Sequence, residues 1–373
     1  MKKTCLLVIG MHRSGTSALT GVLSMLDVYL GSELMPETEA NKRGYFENST
    51  LYPINDRLLD HMDSSWDDIF FDEQKISNVQ DVYALKTEIK KEFGHSNLFA
   101  IKDPRIAFLF PIYKHVLEEL GINIKVIIPF RNPMEVANSL NRRNNFSYEK
   151  GILLWVRHFL FAEKFSREHE RVFIGFNNLI SDPEGSVTLI SEKLHINLKS
   201  EYAKKRQQID DFLEPGLKHH NQSIDSLPKN TSKVVRDIFL HQNTFNDNEI
   251  SIKFDVIREE FLGYQKIFYN QEITNAFVEL KIKTQNLIET EKLLEHRTEN
   301  VEQTTQQLNE AELDLQRKTQ ELEQKTQLID ETEKILFQKN QEINLIQDEL
   351  IAILTTTSWR ITSPLRKLKR IFQ

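Results

Sequence analysis

Glycine stops at Gly263. All 12 glycines of the 373-residue chain lie between Gly10 and Gly263, and the 110 residues that follow hold no glycine and one proline, Pro364. A globule must turn back on itself, and turns draw on Gly, Pro, Asn and Asp. The chain therefore has two regimes and cannot be one compact globule. Nor is the second regime a Gly/Ser linker or a Pro-rich tail. The glycine-punctuated part is long enough for one large domain with a sizeable core.

The glycine-free part has its own order. Leu280, Leu287, Leu294, Val301, Leu308, Leu315, Leu322, Ile329, Leu336, Ile343 and Leu350 recur at every seventh position. A sustained period of seven predicts a left-handed coiled coil over 271–353, roughly 120 Å long at about 1.5 Å per residue. Three positions after each of these residues the side chains are mostly polar, as at Lys283, Thr290, Arg297 and Thr304. That leaves strand number and orientation open. The expectation is a homo-oligomer joined through 271–353.

Charge follows the same division. The net charge of −7 resolves into −9 over 271–353, +5 over 354–373 and −3 over the rest. No broad basic surface of the kind nucleic acid requires is present, so no nucleic-acid partner is expected. A single cysteine, Cys5, cannot form an internal disulfide and points to a reducing compartment. No run approaches the ~20 apolar residues of a membrane span. Lys2-Lys3 followed by Cys5–Ile9 imitates a signal peptide, but Gly10 and His12-Arg13 end the run, and a first β-strand is the better reading. The expected location is the cytoplasm, peripheral at the inner face of the membrane if the tail binds there.

Four short apolar runs predict buried strands: Cys5–Ile9, Leu98–Ile101, Lys125–Phe130 and Val172–Phe176. Helical periodicity separates them over Thr16–Asp27, Ile106–Leu120, Pro133–Arg143 and Gly151–Glu168. Strands alternating with helices predict an α/β fold, a central mainly parallel sheet flanked by helices in three layers. Residues 200–262 read as polar and helical, with a loop near Asn221–Asn230. His219 and His220 are adjacent, point apart and make a poor metal site.

The strongest chemical signal is Gly10-Met11-His12-Arg13-Ser14-Gly15-Thr16-Ser17, between the first strand and its helix. Backbone N–H groups and a helix N-terminus then converge on one point, which suits an anion. The spacing is that of a P-loop, but Thr16 occupies the lysine position that a triphosphate needs. The cation here is Arg13.

This loop resembles the 5′-phosphosulfate loop of sulfotransferases that use 3′-phosphoadenosine 5′-phosphosulfate (PAPS). Three further segments resemble the same family. Phe130-Arg131 through Ser139 to Arg143 is similar to its 3′-phosphate motif, an Arg followed by Ser eight residues on, with a further Arg at twelve as in the tyrosylprotein branch. Lys102-Asp103-Pro104-Arg105 resembles that branch's Lys-Asp-Pro, whose Lys faces the transferred sulfate. Asn41 to Asn48, with Gly44-Tyr45-Phe46-Glu47, resembles a segment of bacterial carbohydrate-type members. The resemblance covers about residues 4–200 and implies a sulfotransferase domain over 1–265. It also implies PAPS as co-substrate without a metal, and a glycan or glycolipid hydroxyl as acceptor.

On that resemblance Ser14, Gly15, Thr16 and Ser17 hold the 5′-phosphate, while Arg131, Ser139 and Arg143 hold the 3′-phosphate. Arg13 binds the donor and, with Lys102, stabilises developing charge. Residue chemistry agrees: an Arg pair with a hydroxyl suits a phosphate monoester, and in-line transfer depends on positioning and charge. The acceptor needs a general base within hydrogen-bond reach. Glu47 is the first candidate and Glu33 the second, with Glu37 and His12 behind them. Trp155 and Phe159 read as core.

The segment Ser358–Phe372 is basic and amphipathic. A basic amphipathic tail over 354–373 suits an anionic membrane surface or a glycosyltransferase partner, and Pro364 is expected to part it from the rod. Two other functions remain open at this level. One is a small-molecule kinase of P-loop type, which needs the missing Lys and an acidic metal ligand. The other is an inactive scaffold assembled by the coiled coil.

Overall fold

The computed structural model describes residues 3–36, 44–78, 82–213, 231–247, 249–268 and 271–371. Two compact units emerge, Met1–Ile273 and Thr274–Gln373.

The first unit is built on strands β1 (Thr4–Val8), β2 (Leu98–Lys102), β3 (Asn123–Phe130) and β4 (Glu170–Gly175). They form a wholly parallel sheet in the order β2-β1-β3-β4. The apolar strands are continuous rather than alternating because both sheet faces are covered. On one face Cys5, Leu7, Phe99, Val126 and Phe173 pack under α2 (Leu51–Asp60), α3 (Tyr83–Phe93), α4 (Ile106–Glu119), α5 (Pro133–Asn144) and α6 (Tyr148–Phe165). On the other, Leu6, Val8, Ala100, Ile127 and Ile174 pack under α1 (Thr16–Met25), α8 (Pro183–Lys193) and α9 (Lys199–Phe212). The short α7 (Phe176–Ser181) links β4 to α8. Helices α10 (Lys233–Leu240) and α11 (Ile250–Phe268) add Val234, Ile238 and Phe254 to the first face. The expected three-layer α/β fold is present.

This topology positions a site. Register pairs Val8 with Lys102 and with Ile127, and Phe130 with Gly175, so the strand C-termini share one edge. Adjacent strands β1 and β3 send their following helices, α1 and α5, to opposite faces. A crevice therefore opens at that edge between them, where open α/β sheets bind ligands.

Element ends differ from expectation where local capping decides them. Helix α6 starts at Tyr148, not Gly151, because Ser147 caps it by accepting from the Lys150 N–H (3.2 Å). Asn48, in a glycosylation-type triplet, is buried, and its Oδ1 accepts from the Leu51 N–H (3.1 Å) where α2 begins. Glu37, His219, His220 and the expected loop at Asn221–Asn230 lie outside the described residues.

The second unit holds most of α12 (Gln271–Thr355), an 85-residue helix about 130 Å long, and α13 (Thr357–Ile371). The heptad leucines of α12 are solvent-exposed, Leu315 at 65% and Leu322 at 66%. The break before the tail is not at Pro364, which lies inside α13. It falls at Thr356, whose hydroxyl accepts from the Trp359 N–H (3.3 Å) and restarts the helix. Within α13 the Arg366 guanidinium stacks on the Trp359 ring at 3.4 Å. Among the described residues no helix is long and apolar enough to cross a membrane.

One buried group ties this core to pH. His158 on α6 is fully buried against Phe108 (4.3 Å between centroids), with Nδ1 2.9 Å from the Leu154 carbonyl. Burial pushes its pKa down to about 4. An unfolded histidine takes up its proton near pH 6.5 while the folded one does not, so stability is full above pH 6.5 and falls between 6.5 and about 4. The loss amounts to roughly 3 kcal/mol at the low end. Melting temperatures of the wild type should therefore fall more steeply over this interval than those of His158→Gln. Parallel curves would remove His158 as the cause.

Candidate active site

The loop after β1 is shaped by its backbone. Arg13 has φ 69° and Gly15 φ 93°, both left-handed, and together they wrap the chain into the N-terminus of α1. Only Gly15 fits its position: a Cβ there would stand 2.5 Å from Phe176 Cδ2. The Ser14 hydroxyl is buried in this loop without a hydrogen-bond partner among the described residues. A buried, unsatisfied hydroxyl in an N–H-rich turn fits an anion. Gly15→Ala should cost roughly 2 kcal/mol from strain and overpacking, measurable by urea denaturation. A variant as stable as wild type would show that the ring can move away.

Arg131 leaves the end of β3, and Asn132 and Pro133 open α5. The Asn132 side chain accepts from the Met134 N–H (2.9 Å), and the Pro fixes the first helical φ. The Arg131 guanidinium lies 4.4 Å over the Phe176 ring, donates to Glu135 Oε2 (2.6 Å) and reaches the Arg13 carbonyl (3.5 Å). Its own carbonyl accepts from Trp155 Nε1 (3.0 Å). Arg13 Nε donates to Ser139 Oγ (2.7 Å), joining the loop to the middle of α5. Arg143, in the last turn of α5, lies 5.5 Å over the Trp66 ring. Burial first, then Arg143 and Arg131, pushes the Arg13 guanidinium below its ordinary pKa. Burial also lowers that of Arg143. Arginines crowded together in this way could hold a multiply charged anion, which would relieve their mutual repulsion.

A second cluster forms at the tip of β2. Lys102 is buried and donates to Glu47 Oε1 (2.6 Å), the Tyr45 carbonyl (2.9 Å) and Ser17 Oγ (3.5 Å). Ser17 in turn donates to the Tyr45 carbonyl (3.2 Å). The Glu47 carboxylate is buried and has Arg105 Nη1 at 3.8 Å from its other oxygen. Burial opposes the Arg105 charge, but Asp103, Asp56 and Glu47 outweigh it and hold its pKa above the ordinary value. Asp103 is fixed by Asn55 Nδ2 (2.9 Å) and Arg105 Nη1 (3.1 Å).

The structure thus brings Arg13, Ser139, Arg131 and Arg143 together, and gathers Lys102, Ser17 and Glu47 beside them. Glu33 is elsewhere. It is exposed, its backbone carbonyl accepts from the Ser49 N–H (2.9 Å), and its carboxylate contributes to the field at Lys91. Thr16 is buried, with its carbonyl accepting from Thr20 Oγ1 (2.8 Å). His12 is half-buried, edge-on to Trp66 (4.5 Å), and desolvation, then Arg143, Arg105 and Lys102, lowers its pKa well below 6.5. Trp155 and Phe159 are core residues, their rings stacked at 5.7 Å, and both also face Gly10 and Ser14 across a narrow cleft.

Three contributors were not singled out from sequence. Glu135 follows Arg131 by four residues, a spacing that signals a helical ion pair. Arg105 stood within a quoted motif without a role. Phe176, which serves both Gly15 and Arg131, carries no sequence signal.

Solved structures similar to this chain include two sulfotransferase domains. The sulfotransferase domain from the Synechococcus PCC 7002 olefin synthase shares 17% identity over 66% of this chain and 97% of its own, with a TM-score of 0.36. The sulfotransferase domain from the curacin biosynthetic pathway shares 16% over 53% and 76%, with a TM-score of 0.32. No protein-family model matches the chain, and no curated protein matches it.

Proposed function

We propose that this chain is a sulfotransferase that moves the sulfuryl group of PAPS to a hydroxyl of a glycan or glycolipid. The observation that carries this reading is the junction of two arginine-bearing segments at the sheet edge. Arg13 meets Ser139 at 2.7 Å and Arg131 meets the Arg13 carbonyl at 3.5 Å, with buried Lys102 alongside. One anion-binding site there and a second beside it would suit a nucleotide phosphorylated at both 5′ and 3′ positions. The acceptor class rests on the resemblance of Gly44-Tyr45-Phe46-Glu47.

In this reading the Ser14–Ser17 backbone and hydroxyls hold the 5′-phosphate, and Arg131, Ser139 and Arg143 hold the 3′-phosphate. The acceptor oxygen attacks sulfur in line. A new S–O bond forms as the bond from sulfur to the phosphate oxygen breaks, and 3′-phosphoadenosine 5′-phosphate leaves with that electron pair. Glu47 takes the acceptor proton. Lys102, now shared between Glu47 and the transferring group, and Arg13 stabilise charge on the bridging and equatorial oxygens.

Calorimetry tests this directly. The purified chain should bind 3′-phosphoadenosine 5′-phosphate without magnesium, and far more tightly than ATP or GTP. Magnesium-dependent ATP turnover would favour a kinase instead, and no nucleotide binding at all would favour a scaffold.

A further inference from the structure

We propose that α12 pairs with α12 of a second copy as a parallel, in-register, two-stranded coiled coil. The proposal does not depend on the sulfotransfer reading. Its observations are the seam that completes the heptad stripe and the sign of the charges flanking it.

A stripe with one residue in seven is too narrow to bury, so a second position must join it. Two choices exist. Taking the residue three places on brings Lys283, Arg297, Lys318, Lys325 and Lys339 into the interface. Taking the residue four places on brings Thr284, Thr298, Thr305, Thr319 and Thr326, with Asn340 further along. The second brings fewer charges to the interface, Glu291, Glu312 and Glu333 against five bases, and its threonines are compatible with burial. Each of these five threonines donates its hydroxyl to the carbonyl of the stripe residue four positions earlier, at 2.8–2.9 Å. Their polar atoms are already satisfied within the helix, so burial leaves none orphaned. The stripe then occupies position d and the β-branched threonines position a. That combination favours two strands, and an Asn at one a position fixes register.

The flanks decide orientation. With leucine at d, the charged g positions are Lys283, Arg297, Lys318, Lys325 and Lys339, all basic. The acidic e positions are Glu295, Glu302, Glu323 and Asp330, with Lys281 the one base at an e position. Parallel strands place each g beside the e of the partner's following heptad. Arg297 then meets Glu302, Lys318 meets Glu323 and Lys325 meets Asp330 of the other copy. Antiparallel strands pair g with g and e with e, setting base against base and acid against acid. Glu291, Glu312 and Glu333 at a positions oppose their own copies, which weakens the pairing and makes it reversible.

Sedimentation equilibrium of the full chain should give twice 43.8 kDa at micromolar concentration. A monomer at tens of micromolar, or a trimer, would overturn the proposal. Orientation is read by cross-linking, since Cys5 is buried. Oxidised Thr284→Cys and oxidised Thr326→Cys should each form disulfide-linked dimers alone. Cross-linking only when the two variants are mixed would show antiparallel pairing. Reversing Arg297→Glu with Lys325→Glu should weaken self-association about tenfold or more. Mixing that variant with Glu302→Lys/Asp330→Lys should restore a mixed dimer. Unchanged self-association of the reversed variant would remove the assigned flanks.

Discussion

Lys102→Ala is expected to lower turnover by about 10² to 10³ while leaving affinity for 3′-phosphoadenosine 5′-phosphate nearly unchanged. The lysine sits at the tip of β2 with its ammonium 2.6 Å from Glu47, and in the proposed transfer charge builds on the phosphate oxygen as its bond to sulfur breaks. A confounding effect must be separated. Removing one partner of a buried ion pair strands the other and costs about 3–5 kcal/mol, and both side chains here are no more than 4% exposed. The double variant Lys102→Met/Glu47→Gln removes both charges, so it should recover most of the stability and none of the activity. Denaturation and single-turnover rates on both variants distinguish the roles. Activity returning with stability would make the pair structural.

Arg131→Ala is expected to weaken binding of 3′-phosphoadenosine 5′-phosphate by about 10- to 100-fold, the worth of about 1.5–3 kcal/mol for hydrogen bonds to a charged group. The same change should leave adenosine 5′-phosphate binding almost untouched, because that ligand has no 3′-phosphate to lose. Isothermal titration with the two nucleotides checks both statements. Equal losses for the two would place Arg131 in loop support, through its contacts to Phe176 and the Arg13 carbonyl, rather than on the 3′-phosphate.

Much of this was legible in the chain because the relevant signals are local. Continuous apolar runs marked strands covered on both faces, and Gly10 to Ser17 declared a turn that only a strand–loop–helix explains. Ser139 and Arg143 are marked by resemblance to a 3′-phosphate motif, and helical spacing puts the two on one face. What escaped depends on distance along the chain. Phe176 lies 161 residues after Gly15 and 45 after Arg131, and no periodicity joins them. The choice among acidic residues was open for the same reason. Glu33 and Glu47 look alike in sequence, and only the fold turns one toward Lys102 and leaves the other in solvent. Pro364 misled because proline usually ends helices, whereas the threonines before it supply the break.

The Phe176 ring has a consequence for how ligand recognition can be partitioned. It forms the wall against Gly15 and the platform under Arg131, while Arg13 from the first segment holds Ser139 in the second. The two halves share these supports, so a change in one reaches the other through the ring and the Arg13–Ser139 bond. A double-mutant cycle between Arg13 and Arg131 should therefore return a sizeable interaction energy, on the order of 0.5–3 kcal/mol as for contacting residues. In the proposed reading, a change of donor preference made at one segment would also be felt, more weakly, at the other.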